Sequence, residues 1–194
     1  MSGEPRLGDQ PVPTPYLVIP YGPGDDGSRP IAEIQAYSSD AIHIRVLGDR
    51  IEQLSHPRIE LSCDVMNSGP AASTAALIEF YVGGGIYRLN PARASTVPAV
   101  QADVRLVGRA RFVAAPGRVT TVTCPQLWSG GGLFAAARNG VLVQVRDLLT
   151  DPLLRPFDAV NDRHVARNDD PLPGVGLVWP GTPEQPNDII RIGP

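Results

Sequence analysis

Prolines and glycines interrupt this sequence along its whole length, with 21 prolines and 20 glycines among 194 residues. Because the interior of a helix tolerates neither residue, long helices are not expected over most of the chain. Hydrophobic residues still make up 42% of the chain and charged residues 19%, so it can bury a core. This combination is typical of many short strands joined by turns.

The charge of the chain is close to neutral. The formal net charge is −3 and the isoelectric point is about 5.6, so no basic stripe of the kind that holds nucleic acid is indicated. The sequence has no apolar run long enough to cross a bilayer, and residues 1–10 are polar, unlike a signal peptide. We therefore expect a cytoplasmic protein with neither nucleic acid nor a membrane as its partner.

Alternating apolar and polar residues predict strands with one buried and one wet face. The clearest alternation runs from Ile59 to Val65, where every second residue is apolar and is expected to face inward. Seven strands are predicted in this way, over residues 41–47, 59–65, 75–82, 102–112 (bent near Gly108), 118–124, 141–145 and 162–168. They indicate an all-β fold, an antiparallel two-sheet sandwich of the immunoglobulin-like kind, over residues 36–168.

The two ends of the chain are rich in proline and are predicted to be extended arms, over residues 1–35 and 169–194. Each arm holds an apolar segment that could add to the sheet edge of a neighbouring subunit. The N-terminal segment has a second interpretation, in which it packs on its own domain. The predicted partner-binding residues are Tyr16, Leu17, Val18, Ile19, Trp179, Ile189, Ile190 and Ile192.

Several runs of residues resemble one bacterial family. The run Val65–Gly69 ends in Asn-x-Gly, small residues follow, and Leu77–Val82 is a strand that finishes in an aromatic and an apolar residue. Asn161–Asn168 is similar to a closing strand that enters through an Asn- and Asp-rich turn. Together they resemble the CARDB-type (cell-adhesion-related) immunoglobulin-like modules, over residues 37–168. The resemblance implies a non-catalytic module for interaction or assembly, although such modules usually sit in exported proteins.

The residues that carry chemistry form no recognisable catalytic or cofactor motif. His43, His56 and His164 lack the spacing of a zinc site, and no Gly-x-Ser-x-Gly elbow is present. No catalytic residue and no cofactor is therefore predicted, and His164 is expected to pair with Asp162 or Asp158.

Calcium is the one metal for which the sequence offers candidates. Asp158, Asn161 and Asp162 supply several oxygens within a short segment, as a calcium loop requires. The alternative is that these side chains cap the backbone amides of their own turns.

Two cysteines, Cys63 and Cys124, are both expected to face inward on neighbouring strands. A disulfide and a pair of buried thiols are the two alternatives, and a reducing compartment favours the thiols. Trp128 is predicted to fill the core.

Two functions remain as hypotheses. The first is a structural or protein-interaction module that docks with other protein subunits, in a homo- or hetero-oligomeric assembly such as a phage-like or contractile injection particle. The second is an accessory module that binds carbohydrate or calcium through its loops, for which Tyr81, Tyr87 and Trp128 are the candidate aromatic residues. No enzymatic activity is expected.

Overall fold

The computed structural model describes residues 12–32, 38–48, 57–83, 104–129, 140–153, 158–159 and 161–168. Every regular element within these ranges is a strand. In chain order the strands are β1 (Leu17–Val18), β2 (Ile42–Leu47), β3 (Arg58–Asn67), β4 (Ser73–Gly83), β5 (Arg105–Ala114), β6 (Arg118–Thr123), β7 (Trp128–Ser129), β8 (Gly140–Asp147) and β9 (Val165–Asn168). Each of the seven predicted strands has a counterpart, and the two-residue strands β1 and β7 were not predicted.

The first sheet is built around β3. Along one edge of β3, β2 pairs with residues 58–63 and β1 pairs with Met66 and Asn67. Along the other edge, β6 pairs with residues 62–67 and β7 with Arg58 and Ile59. All four pairings are antiparallel, so one ten-residue strand organises the whole sheet.

The second sheet has the strand order β5–β4–β8–β9, and all of its pairings are antiparallel. The register of β4 against β5 shifts between Phe80 and Tyr81, whose partners are Gly108 and Leu106. The irregularity coincides with the bend that the sequence predicts near Gly108. A Cβ atom at Gly108 would lie 2.8 Å from Sγ of Cys124, so the missing side chain lets the strand approach the first sheet.

The two sheets face each other across one hydrophobic core. The inward residues of β3 (Ile59, Leu61, Cys63 and Val65) are fully buried, as their alternation predicts. They share the core with Ile78 and Phe80 of β4 and with Val141, Val143 and Val145 of β8. The protein is therefore an all-β sandwich of two antiparallel sheets.

The N-terminal segment belongs to this sandwich, which corrects the predicted boundary at residue 36. Leu17, Val18, Ile19 and Tyr21 are all buried. The physical reason lies in the open edge of β3: the pairing with β2 covers residues 58–63 only, and β1 occupies the edge beyond it. Of the two interpretations of the N-terminal apolar segment, packing on its own domain is the one observed. Residues 169–194 lie outside the described residues.

Asn67 fixes the N-terminal segment to both sheets. Its Oδ1 accepts hydrogen bonds from the amides of Tyr16 (3.0 Å) and Gly69 (3.1 Å). Its Nδ2 donates to the carbonyls of Ala71 (2.8 Å) and Ala114 (2.9 Å). The side chain is completely buried, so each of its bonds replaces one with water. The Asn-x-Gly run in the sequence is thus a structural junction as well as a turn.

Candidate functional site

A cleft of about 470 Å³ opens at one end of the sandwich, between the N-terminal segment and the loop that leads into β9. It is lined by Tyr16, Gly27, Ser28, Arg29, Asp158, Asn161, Asp162 and Arg163. Both walls are polar, and both contain residues singled out in the sequence. The cleft is therefore the candidate ligand site in the described part of the chain.

Asp25 organises the N-terminal wall. Its carboxylate accepts hydrogen bonds from the amides of Tyr21 (2.8 Å) and Gly27 (2.9 Å) and pairs with Nη1 of Arg29 at 3.0 Å. Burial alone would raise the pKa of Asp25, but the hydrogen bonds from Arg29, Tyr21 and Gly27 outweigh it and hold the pKa below its usual value. Gly27 has a φ of +92°, and a Cβ there would lie 2.5 Å from Val18.

The opposite wall is a turn held by its own acidic residues. Asp158 accepts hydrogen bonds from the backbone amide (3.1 Å) and Nδ2 (2.9 Å) of Asn161. Oδ1 of Asp162 accepts from the backbone amide (2.9 Å) and Nδ1 (2.7 Å) of His164. Nε2 of the buried His164 lies 3.6 Å from Asp151. Of the two predicted partners of His164, Asp162 is therefore the one observed.

The three calcium candidates thus form the turn itself, which is the alternative interpretation of these residues. Asp158 directs its oxygens at the two nitrogens of Asn161, and Asp162 directs Oδ1 at the amide and ring of His164. Nowhere in the described ranges do three or more His, Cys, Asp or Glu side chains gather in a group that could hold a metal ion.

Arg163 lies over the ring of Tyr16, and its guanidinium carbon is 3.9 Å from the ring centroid. This is a close cation–π contact. The backbone carbonyl of Arg163 accepts a hydrogen bond from the amide of Ile19 at 2.9 Å. Two residues that are far apart in the sequence are therefore brought together by the pairing of the N-terminal segment with the sandwich. No pattern in the sequence predicts this contact.

The other histidine in the described ranges is not part of the cleft. His43 lies on the outward face of β2, as predicted, and its Nε2 is 3.0 Å from Asp64. Oγ1 of Thr121 donates to the same carboxylate at 2.5 Å. This is a cross-strand polar group on the surface of the first sheet. His56 lies outside the described residues.

Both cysteines are free thiols, so the disulfide alternative is not observed. Although β3 and β6 are neighbours, as expected, Cys63 is paired with Val122 and Cys124 follows the end of β6. Burial raises the pKa of both thiols, and the nearby Asp64 adds to the rise at Cys63.

The outer face of the second sheet carries a buried carboxylate that the sequence analysis did not single out. Glu79 is only 5% exposed and lies 3.3 Å from Nη2 of Arg146. The pKa of the neighbouring Tyr81 is raised to about 12, chiefly by burial and then by the charge and hydrogen bond of Glu79. Period-two alternation marks Glu79 only as outward, so the sequence held no signal for its burial.

The predicted partner-binding residues differ in how accessible their side chains are to a partner. Leu17, Val18 and Ile19 are buried in their own domain, so their side chains are not accessible to a partner while the fold is intact. Tyr16 is 37% exposed at the cleft. Trp179, Ile189, Ile190 and Ile192 lie outside the described residues.

Two of the aromatic residues proposed for a carbohydrate site, Trp128 and Tyr81, belong to different sheets. Trp128 is 2% exposed and fills the core, as predicted for it. Tyr81 belongs to the other sheet, and Tyr87 lies outside the described residues.

The turn between β5 and β6, in which the chain crosses from the second sheet to the first, exposes apolar side chains. Val113 near the end of β5 is 61% exposed, and Val119 near the start of β6 is 59% exposed. Within the described ranges β5 pairs with β4 along one edge only. Arg109 and Arg111 are exposed on the same strand as Val113. The β5–β6 turn thus presents apolar side chains next to positively charged residues of β5.

Comparison with known proteins adds little. No family model matches the chain, and no curated protein matches it by sequence. Among solved structures, it is similar to DesR, a β-glucosidase from Streptomyces venezuelae in complex with D-glucose, at a TM-score of 0.30. The match has 19% identity and covers 64% of this chain and 14% of that chain. A likeness this weak supports neither a fold nor a function. In the described ranges, no helix is long and apolar enough to cross a membrane.

Proposed function

We propose that this chain is a non-catalytic immunoglobulin-like module that docks another protein subunit along β5 and the β5–β6 turn. The observation that carries the proposal is the exposure of Val113 and Val119 on either side of this turn, at the end of a ten-residue strand, β5, with one unpaired edge among the described residues. Long edge strands are templates for pairing with another chain, and exposed apolar side chains mark interaction surfaces.

The order of the strands supports the immunoglobulin-like class. One sheet places β2, β3 and β6 side by side, and the other has the order β5–β4–β8–β9. This arrangement corresponds to strands A, B and E facing strands C′, C, F and G of an immunoglobulin-like sandwich, in which the fourth strand of the second sheet adds beside C. The CARDB-type modules that the sequence resembles belong to this class.

The charge of β5 favours a different protein over a second copy as the partner. Two copies joined through β5 would bring Arg109 and Arg111 of each copy close together, and like charges across an interface are unfavourable. An extended segment with acidic side chains would pair with the edge and neutralise them. A cytoplasmic location and a phage-like particle remain predictions about its setting.

The partners of the titratable side chains support the proposal of a non-catalytic role. In the described ranges, His164 and Asp162 hold a turn, His43 and Asp64 form a cross-strand pair, and Glu79 pairs with a neighbouring arginine. Each of these groups has a structural partner, which supports a binding role over a catalytic one.

The test is the native mass of the particle with which the protein purifies from its own cells. We expect a complex containing at least one other protein, and we expect the double variant Val113→Asp, Val119→Asp to lose it. Val12→Asp is the matched control, because Val12 is 80% exposed and lies outside β5 and the β5–β6 turn. A double variant that stays folded and keeps the complex would contradict the proposal, as would a monomeric wild-type protein.

A further inference from the structure

Arg163 is partly buried and, unlike Arg29 and Arg146, has no acidic partner among the described residues. Arg29 pairs with Asp25 at 3.0 Å and Arg146 with Glu79 at 3.3 Å. No described residue accepts a hydrogen bond from the guanidinium of Arg163, and its buried Nε has no acceptor at all. Withdrawing a charge from water is costly unless it is paired, and Tyr16 offers only the face of its ring. The guanidinium of Arg163 is therefore able to pair with an acidic group of a ligand in the cleft.

The backbone holds this charge and its aromatic neighbour in place. The amide of Tyr16 donates to Asn67 at 3.0 Å, and the carbonyl of Tyr16 accepts from Ser68 at 3.0 Å. The carbonyl of Arg163 accepts from Ile19 at 2.9 Å. Both residues are thus anchored to the core of the sandwich. An anchored pair of this kind loses little conformational freedom when a ligand binds.

The rest of the cleft restricts the chemistry of the ligand. The planar guanidinium matches carboxylate and phosphate groups. Asp158 and Asp162 line the same cleft, and they would repel a doubly charged phosphate. Asp158 would instead accept hydrogen bonds from hydroxyl or ammonium groups, because a carboxylate has more acceptor sites than the two that Asn161 occupies. The volume of about 470 Å³ fits a small molecule.

From this geometry we propose that the cleft binds a small, singly charged carboxylate that also carries hydroxyl or ammonium donors. The carboxylate pairs with Arg163, and the donors face Asp158 and Asp162. Acidic sugars and free amino acids share this chemistry. The cleft shares no residue with β5 or the β5–β6 turn. The proposed ligand is therefore additional to the proposed docking function, and the ligand proposal does not depend on the docking proposal.

The test is a titration of the full chain at low salt with sodium D-glucuronate and with L-alanine, followed by calorimetry and by amide resonances. D-glucose and sodium phosphate are the reference compounds. We expect saturable millimolar binding of at least one carboxylate, with the resonances of Tyr16 and Arg163 shifting. Arg163→Gln should weaken binding about tenfold, and Arg163→Lys should weaken it less. Arg45→Gln is the matched control, because Arg45 is exposed on β2 and pairs with Glu60 at 2.9 Å.

The two carboxylates distinguish the source of the ligand: preference for glucuronate indicates an acidic sugar, and preference for alanine indicates an amino acid. The proposal is overturned if neither carboxylate binds the folded wild-type protein, or if phosphate binds more tightly than both. It is also overturned if the shifted resonances lie away from the cleft, a readout that needs no variant. Equal binding by folded Arg163→Gln would have the same consequence.

Discussion

Replacing Asn67 with alanine should destabilise the sandwich severely. The side chain is completely buried and makes four hydrogen bonds, all to backbone groups. Each such bond contributes about 1 kcal/mol net, so Asn67→Ala should lower the free energy of unfolding by about 4 kcal/mol. Domains of ordinary size are stable by about 5–15 kcal/mol, and the loss is therefore a large share of the total.

The measurement is urea denaturation followed by tryptophan fluorescence, with the slope m compared between variants. For a chain of this length, 4 kcal/mol corresponds to a fall in melting temperature of roughly 8–16 °C. Asn67→Asp is the more selective variant, because it keeps the shape and the acceptor. It places a carboxylate oxygen against the carbonyls of Ala71 and Ala114, so it should be at least as destabilising as alanine.

Asn161→Ala is the matched control, because Asn161 is exposed and its amide reaches only Asp158. We expect it to cost less than about 1 kcal/mol. A loss below about 1 kcal/mol at Asn67 as well would refute the reasoning, since it would mean that the four bonds are replaced by water at no cost.

Three further predictions test other parts of the structure. Deleting residues 1–30 should lower the free energy of unfolding by at least about 5 kcal/mol, because four buried side chains are removed. Deleting residues 1–11 should leave the fold intact. Equal stability of the two truncated proteins would contradict the assignment of the N-terminal segment to the core. One of the five tyrosines, Tyr81, should titrate near pH 12 by ultraviolet absorbance. Because its pKa is higher in the folded state than the ordinary value of about 10, its contribution to stability should be lost as the pH rises from 10 to 12, and Tyr81→Phe should remove that dependence. Cys63 and Cys124 should not react with a thiol reagent in the native protein, and both should react after unfolding without reductant; fewer than two reactive thiols would indicate a bridge.

Local sequence patterns were sufficient for the class of fold and the approximate place of each long strand. Alternation in residues 59–65 requires one buried and one wet face, and only a strand offers this with a period of two. The Pro- and Gly-rich breaks between such segments exclude long helices and separate the strands. The inward direction of Cys63 and the outward direction of His43 follow from the same period.

Alternation could not predict how distant segments meet. From the sequence, the N-terminal apolar segment could pack on its own domain or on a neighbouring subunit. It packs on its own domain because β2 leaves the end of β3 unpaired. The prediction that the two cysteines belong to neighbouring segments is confirmed, although Cys124 lies just beyond the end of β6, and only the register shows that Val122 lies opposite Cys63. Register is set by the whole sheet and its turns, which no single strand contains.

The sequence by itself determined an all-β chain whose longest strands have defined inner and outer faces, because those properties arise from residues next to one another. The tertiary structure decided that Asn67 joins the N-terminal segment to both sheets, that Asp158 and Asp162 hold a turn, and that Arg163 lies on Tyr16. The physical reason is that the contacts of Asn67 and Arg163 join segments that only the folded backbone brings together, while the turn of Asp158 and Asp162 depends on which groups lie within hydrogen-bond distance. Their energy depends on burial and on the distance between groups, which the order of residues does not specify.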